Sequence, residues 1–146
     1  MFVNGDFRMG YTEADQATFI AASYSPAAVS AWLADPAGCV LVAEDASGAL
    51  IAYAHAGDNT LPLPAARAGE GELKRIYVRK DWRGSGLGTR LFEGVLAFFG
   101  ARTFWIGVWS GNLAAQRFYA RWGFKIVGSY KYVVGDCEDD ERIMGR

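Results

Sequence analysis

Three glycines at alternate positions stand in the run Arg83-Gly84-Ser85-Gly86-Leu87-Gly88-Thr89. A strand-like stretch, Leu73-Lys74-Arg75-Ile76-Tyr77-Val78, comes before them, and an apolar-periodic segment from Leu87 to Phe99 follows. Alternate glycines let the backbone approach a ligand closely and turn several N–H groups the same way. A helix start directly behind adds orphan donors and a partial positive charge. Strand, glycine loop and helix start make a phosphate-binding arrangement.

Spacing narrows the ligand. A dinucleotide fingerprint G-x-G-x-x-G needs glycine where Thr89 stands, and a P-loop needs a Gly-Lys-Ser/Thr sequence that this loop lacks. The pattern Q/R-x-x-G-x-G/A does fit, on Arg83, Gly86 and Gly88.

The flanking elements must position that loop. Thr12 to Ser23 reads as a helix capped by Thr12, and Ser25-Pro26 restarts a second one with Val29, Trp32 and Leu33 on its apolar face. Cys39–Ala43 and Leu50–Ala56 read as strands joined by the tight turn Asp45-Ala46-Ser47-Gly48, and a Gly/Pro/Ala-rich loop follows from Gly57 to Gly71. After the strand Glu72–Val78, residues Leu87, Leu91, Val95 and Phe98 are expected to line one face of a helix. Phe104–Trp109 has the apolar run of a buried parallel strand. Asn112 caps a helix whose Ala115, Phe118, Tyr119 and Trp122 share a side, and Gly123 stops it. Lys125–Val134 and Arg142–Met144 are the expected closing strands, around an acidic turn.

Length and composition bound the rest. A chain of 146 residues, 51% hydrophobic, makes one domain with a real core. Cys39 and Cys137 lie far apart and His55 is the one histidine, so no metal site is expected. No leader opens the chain and no apolar run reaches about 18 residues. A soluble, cytoplasmic protein is therefore expected, with no membrane partner. The acidic and basic residues nearly cancel but are unevenly placed. Residues 9–66 hold six acids and no lysine or arginine, whereas residues 74–131 hold eleven bases and two acids. A basic half suits an anionic ligand and an acidic half a cationic one. Nucleic acid is a poor partner, because the basic half also holds the glycine loop and the pI is near 5.8.

Two further motifs, in order with the loop, carry a resemblance. Asn112-x-x-Ala115-x-x-Phe118-Tyr119-x-x-x-Gly123-Phe124 resembles the second signature of the GCN5-related N-acetyltransferase (GNAT) family, and Glu72-Leu73-x-x-Ile76-Tyr77-Val78 is similar to the strand before that family's acyl-CoA loop. Trp105-Ile106-Gly107-Val108-Trp109-Ser110-x-Asn112 and Val134-Gly135-Asp136…Asp140-x-x-x-Met144 look like the bacterial polyamine (spermidine/spermine) acetyltransferase branch.

The resemblance implies an α/β fold with a mixed central sheet of about six to seven strands, helices on both faces, and two parallel strands splayed at the acyl-CoA site. It also implies a first strand that is short or missing, since only eleven residues precede Thr12. The implied reaction is acetyl transfer from acetyl-CoA, as co-substrate, to a primary amine such as a polyamine or another small cationic amine. Ile76, Tyr77 and Val78 would take the pantetheine amides as an added strand. Arg83, Gly84, Ser85, Gly86, Leu87, Gly88 and Thr89 would hold the pyrophosphate, and Asn112 would reach the pantetheine or adenosine end.

An alkylammonium of reference pKa about 10.4 must lose its proton before it attacks. Glu72 is the implied base, through a water, and Tyr119 the implied donor to the leaving thiolate. A free N–H of a bulged strand around Ile76–Val78 is the implied oxyanion donor. His55 is expected to be a satisfied core or edge residue. A protein amine, an aminoglycoside, or a non-catalytic acyl-CoA-binding module of the same fold stay open as alternatives. By analogy alone, the late strands Lys125–Met144 are where a homodimer would form.

Overall fold

The computed structural model describes residues 2–3, 6–7 and 11–146. Two two-residue strands, β1 (Phe2–Val3) and β2 (Asp6–Phe7), pair with each other. The expectation of a short or missing first strand falls on this stretch, and beyond these four residues it lies outside the described ones. Then come α1 (Glu13–Tyr24), α2 (Pro26–Ala34), β3 (Cys39–Glu44), β4 (Leu50–Asp58), β5 (Gly71–Val78), α3 (Leu87–Phe99), β6 (Phe104–Trp109), α4 (Leu113–Ala120), β7 (Lys125–Val134) and β8 (Cys137–Gly145).

Local chemistry sets these boundaries. Thr12 and Asp15 form a reciprocal capping box at the start of α1. Ser25 ends α1 and caps α2, with Pro26 at its first position. The six strands β3 to β8 form one sheet in the order β3-β4-β5-β6-β8-β7, in which only β5 and β6 run parallel.

Alternation along β4 divides the sheet into two faces. Ala52, Ala54 and Ala56 face a core built with Leu91, Phe92, Val95 and Phe99 of α3 and with Tyr119 of α4. Tyr53 and His55 face the other way and meet Tyr24 and Trp32 of α1 and α2. Helices therefore cover both faces, as expected.

Two expectations are corrected. Phe99, not Phe98, completes the buried stripe of α3, and Phe98 is 37% exposed. The helical period allows either phenylalanine beside Leu91 and Val95, and the way α3 docks on the sheet turns the Phe92–Phe99 side inward and Phe98 toward solvent. The acidic turn also shrinks, because Cys137 to Glu141 continue β8 in register with β7. On that strand Glu138 and Asp140 point outward and pair with Lys131, while Asp139 and Glu141 are buried.

Candidate active site

The cleft begins where two strands part. The β5–β6 ladder runs through Gly71↔Phe104, Glu72↔Trp105 and Leu73↔Ile106 and then stops, although β5 continues to Val78 and β6 to Trp109. An extra residue explains the parting. On β4, His55 and Ala56 are consecutive, yet they oppose Arg75 and Leu73, so Lys74 is a bulge in β5. A bulge bends and twists its strand. It lies at Lys74, earlier than the expected Ile76–Val78, so the unladdered edge of β5 begins sooner. Beyond Leu73, among the described residues no strand lies beside the β6-facing edge of β5, and its backbone groups there can pair with an extended amide. The gap is a cleft of about 520 Å³.

The glycine loop closes one end. A 3-10 turn at Lys80–Trp82 leads to Gly84 and Gly86, whose φ values of 78° and 86° lie in the left-handed region. Gly86 is also the N-cap of α3 and has no side chain to satisfy the first helical N–H groups. Those donors are left to a ligand. Arg79 is neutralised by Asp81 at 2.7 Å, whereas the Arg83 side chain, among the described residues, donates only to the Val78 carbonyl, at 3.3 Å. Arg83, Gly84 and Gly88 line the cleft together with Ile76, Tyr77 and Val78. Ser85, Gly86, Leu87 and Thr89 build the loop without lining it.

Two residues of the second signature meet them across the gap. Asn112 lines the cleft and accepts the Ala115 N–H at 3.1 Å, capping α4. Tyr119 lines it too and is 5% exposed, its ring packed on Phe92 and Phe118. Among the described residues its hydroxyl has no hydrogen-bond partner. Burial raises its pKa above the usual 10, so the phenol keeps its proton. An open strand edge, an uncapped helix start and a protonated phenol on one cleft fit a thioester ligand with a pyrophosphate.

The opposite face forms a second wall. Tyr24, Tyr53, Arg75, Gly107, Trp109 and Glu141 line it. Glu72 does not line the cleft. It is buried at the paired end of β5, and its Oε2 accepts from the Thr60 N–H (2.8 Å), Thr60 Oγ1 (2.7 Å) and Lys74 Nζ (3.0 Å). Glu141 is 4% exposed and is the carboxylate that does line the cleft. Tyr130 places its hydroxyl over Gly107, where a Cβ would come within 2.8 Å of it. Burial raises the Tyr130 pKa, and the charges of Glu141 and Glu72 raise it further.

Sequence reasoning missed Arg75, Tyr24 and Tyr53, and took Glu141 for part of a turn. No local signal marked Glu141, because the uniform acidic run Glu138–Glu141 carries no period; the inward turn of Asp139 and Glu141 is set by the pairing of β8 with β7.

His55 lies under this wall, stacked on Trp32 with ring centroids 4.7 Å apart. Burial, then the charge of Arg75, lowers its pKa from 6.5 to about 4. It is a neutral, partnered residue, as expected. The folded state thus disfavours His55 protonation, so its stabilising contribution is complete above about pH 6.5 and is lost as pH falls toward about 4. Within that window it should cost at most about 1.4 kcal/mol per pH unit. Denaturant midpoints of the wild type and His55→Gln from pH 4 to 7 check this. The variant should show the flatter profile, and parallel profiles would refute the assignment.

Comparison with known proteins agrees with this geometry. The model of the Acetyltransferase (GNAT) family matches residues 6–124. The chain is 33% identical over 135 residues to an uncharacterized N-acetyltransferase of Mycobacterium tuberculosis, covering 89% of this chain and 80% of that one. It is 35% identical over 98 residues to the L-methionine sulfoximine/L-methionine sulfone acetyltransferase of Pseudomonas aeruginosa, covering 64% of this chain and 55% of that one. The fold is shared with the Escherichia coli ribosomal-protein-S18-alanine N-acetyltransferase, with a TM-score of 0.66, 21% identity, and 92% and 88% of the two chains covered. The splayed parallel pair, the glycine loop and the family match over most of the sequence lead to one conclusion: this chain is a member of the GNAT family of acetyl-CoA-dependent N-acetyltransferases.

Proposed function

We propose that the chain moves the acetyl group of acetyl-CoA directly to the primary amine of a small molecule, with both substrates in the cleft at once. The observation that carries this reading is the meeting of the open β5 edge, the uncapped α3 start and the buried Tyr119 phenol on one cleft. Acetyl-CoA supplies the activated acyl carbon, and the chain supplies position and protons. The edge at Ile76–Val78 holds amides in strand register, and the N–H groups of Gly84 and of the α3 start around Gly88 are the loop donors left for a pyrophosphate, those of Arg83 and Ser85 being bonded to the Lys80 and Trp82 carbonyls. Tyr119 gives its proton to the departing thiolate.

Proton removal from the amine falls to a carboxylate. Glu72 can act only by relay through water from Oε1, because Oε2 is held by Thr60 and Lys74. Glu141 stands in the cleft itself, where its charge favours an ammonium group. These two acids support the polyamine acceptor implied by the tryptophan motif, but Lys74 and Arg75 share the same wall. A small primary amine is therefore the acceptor class adopted. The name of the Pseudomonas aeruginosa relative supports a small-molecule acceptor. The late strands also support the expected homodimer, since β7 is a sheet edge with Ile126, Val127 and Val133 exposed.

Thiol release from acetyl-CoA, measured over a panel of spermidine, spermine, aminoglycosides, amino acids and a lysine peptide, tests the reading. At least one small amine should release CoA in proportion to N-acetyl product. Release with the peptide alone would move the function to protein acetylation. Glu72→Gln and Glu141→Gln then assign the base, which is the position whose loss removes the acid limb of the kcat/KM profile.

A further inference from the structure

Arg75 is held in an unusual way for a cation on the wall of an amine-binding cleft. Its Cζ lies 4.4 Å from the ring centroid of Trp32 and 5.2 Å from that of Tyr24. Its Nε donates to the Tyr24 hydroxyl at 3.3 Å, and one Nη lies 3.4 Å from His55 Nδ1. Two helices and β4 thus fix the plane of the guanidinium. Among the described residues no carboxylate lies within ion-pair distance of it, and its second Nη makes no hydrogen bond. The nearest base in sequence, Lys74, is spent on Glu72.

A planar cation clamped on aromatic rings with one edge open is built for a planar anion. The fork of N–H groups matches the two oxygens of a carboxylate, and the stacking removes the ordering cost of forming that pair. The anion is not the pyrophosphate of the acyl donor. Arg75 points to the α1–α2 face of β5, whereas Ile76 and Val78 pack on the core beneath α3, the helix that the glycine loop starts. An anion at Arg75 therefore belongs to the acceptor. Glu141 lines the same cleft with the opposite charge.

We infer that Arg75 is an oxyanion receptor in the acceptor site, and that the acceptor is a small amine carrying its own carboxylate, an amino-acid-like zwitterion. This rests on the acetyl-transfer reading for the identity of the cleft. It also accounts for the mixed charge of the wall, which an all-cationic polyamine would not match.

Binding to the full chain saturated with CoA tests the inference without turnover. Titration calorimetry would compare each common L-amino acid with its carboxamide, and both with spermidine. At least one amino acid should bind tenfold or more tightly than its carboxamide. Arg75→Gln should bring that ratio to within about twofold while leaving CoA affinity unchanged, and Arg75→Lys should restore part of it.

Carboxamides or spermidine binding as well as the amino acids would overturn the receptor, even if neither variant folds. A ratio that survives Arg75→Gln would do the same. Thiol release from acetyl-CoA in the same mixtures judges the other reading. Carboxylate-selective binding with no release leaves the receptor standing and removes the transferase.

Discussion

Tyr119→Phe should lower kcat by about 10²-fold or more and leave the KM for acetyl-CoA within about twofold. The substitution removes one oxygen and keeps the ring packed against Phe92 and Phe118. What it removes is the hydroxyl proposed as the proton donor, which burial keeps protonated. Loss of a group that acts only on the leaving thiolate reduces kcat and kcat/KM together, whereas loss of a binding contact would raise KM. Steady-state kinetics with the amine found in the panel, together with CoA titration of the variant, separates the two. A kcat within threefold of wild type would take Tyr119 out of the mechanism.

Phe92→Ala should produce the largest loss of stability. Phe92 is fully buried, with ring centroids of Phe118, Tyr119, Trp122 and Phe124 between 5.3 and 5.9 Å from its own. Truncating a buried phenylalanine costs about 3–5 kcal/mol from lost burial and the remaining cavity. For a chain of this size that lowers the thermal midpoint by roughly 6–20 °C. The consequence reaches the site, because Tyr119 and Phe118 both rest on this ring. The folded fraction should therefore also lose kcat, and Phe92→Leu should recover much of both losses. Scanning calorimetry alongside activity per folded molecule checks this. A midpoint within about 2 °C of wild type would show that the neighbouring rings close the gap.

The two predictions differ in what the sequence revealed about them. Tyr119 stood out through its spacing from Asn112 and Gly123, and the cap geometry of Asn112 matched that reading because capping is a local interaction. Phe92 carried no such mark. The helical stripe was legible, but which phenylalanine completed it depended on how α3 lies on the sheet, and that turned out to be Phe99 instead of Phe98. The second wall of the cleft was the least legible part. Arg75 lies 51 positions from Tyr24, and Trp32 is also distant in sequence, so nothing in local periodicity could join them.

By itself the sequence determined what short-range physics decides. Glycines at 84 and 86 permit a left-handed turn, Thr12, Ser25 and Asn112 cap the helices behind them, and apolar runs of the right period make the strands. Those features were enough to specify the glycine loop and the helix start behind it. Only the tertiary structure opened the cleft and built its second wall. The bulge at Lys74 parts β5 from β6, and the pairing of β7 with β8 turns Glu141 inward from what read as a solvated turn. The same fold brings Tyr24 and Trp32 onto Arg75. These are consequences of strand register and helix docking, which are set by contacts between residues far apart in the chain.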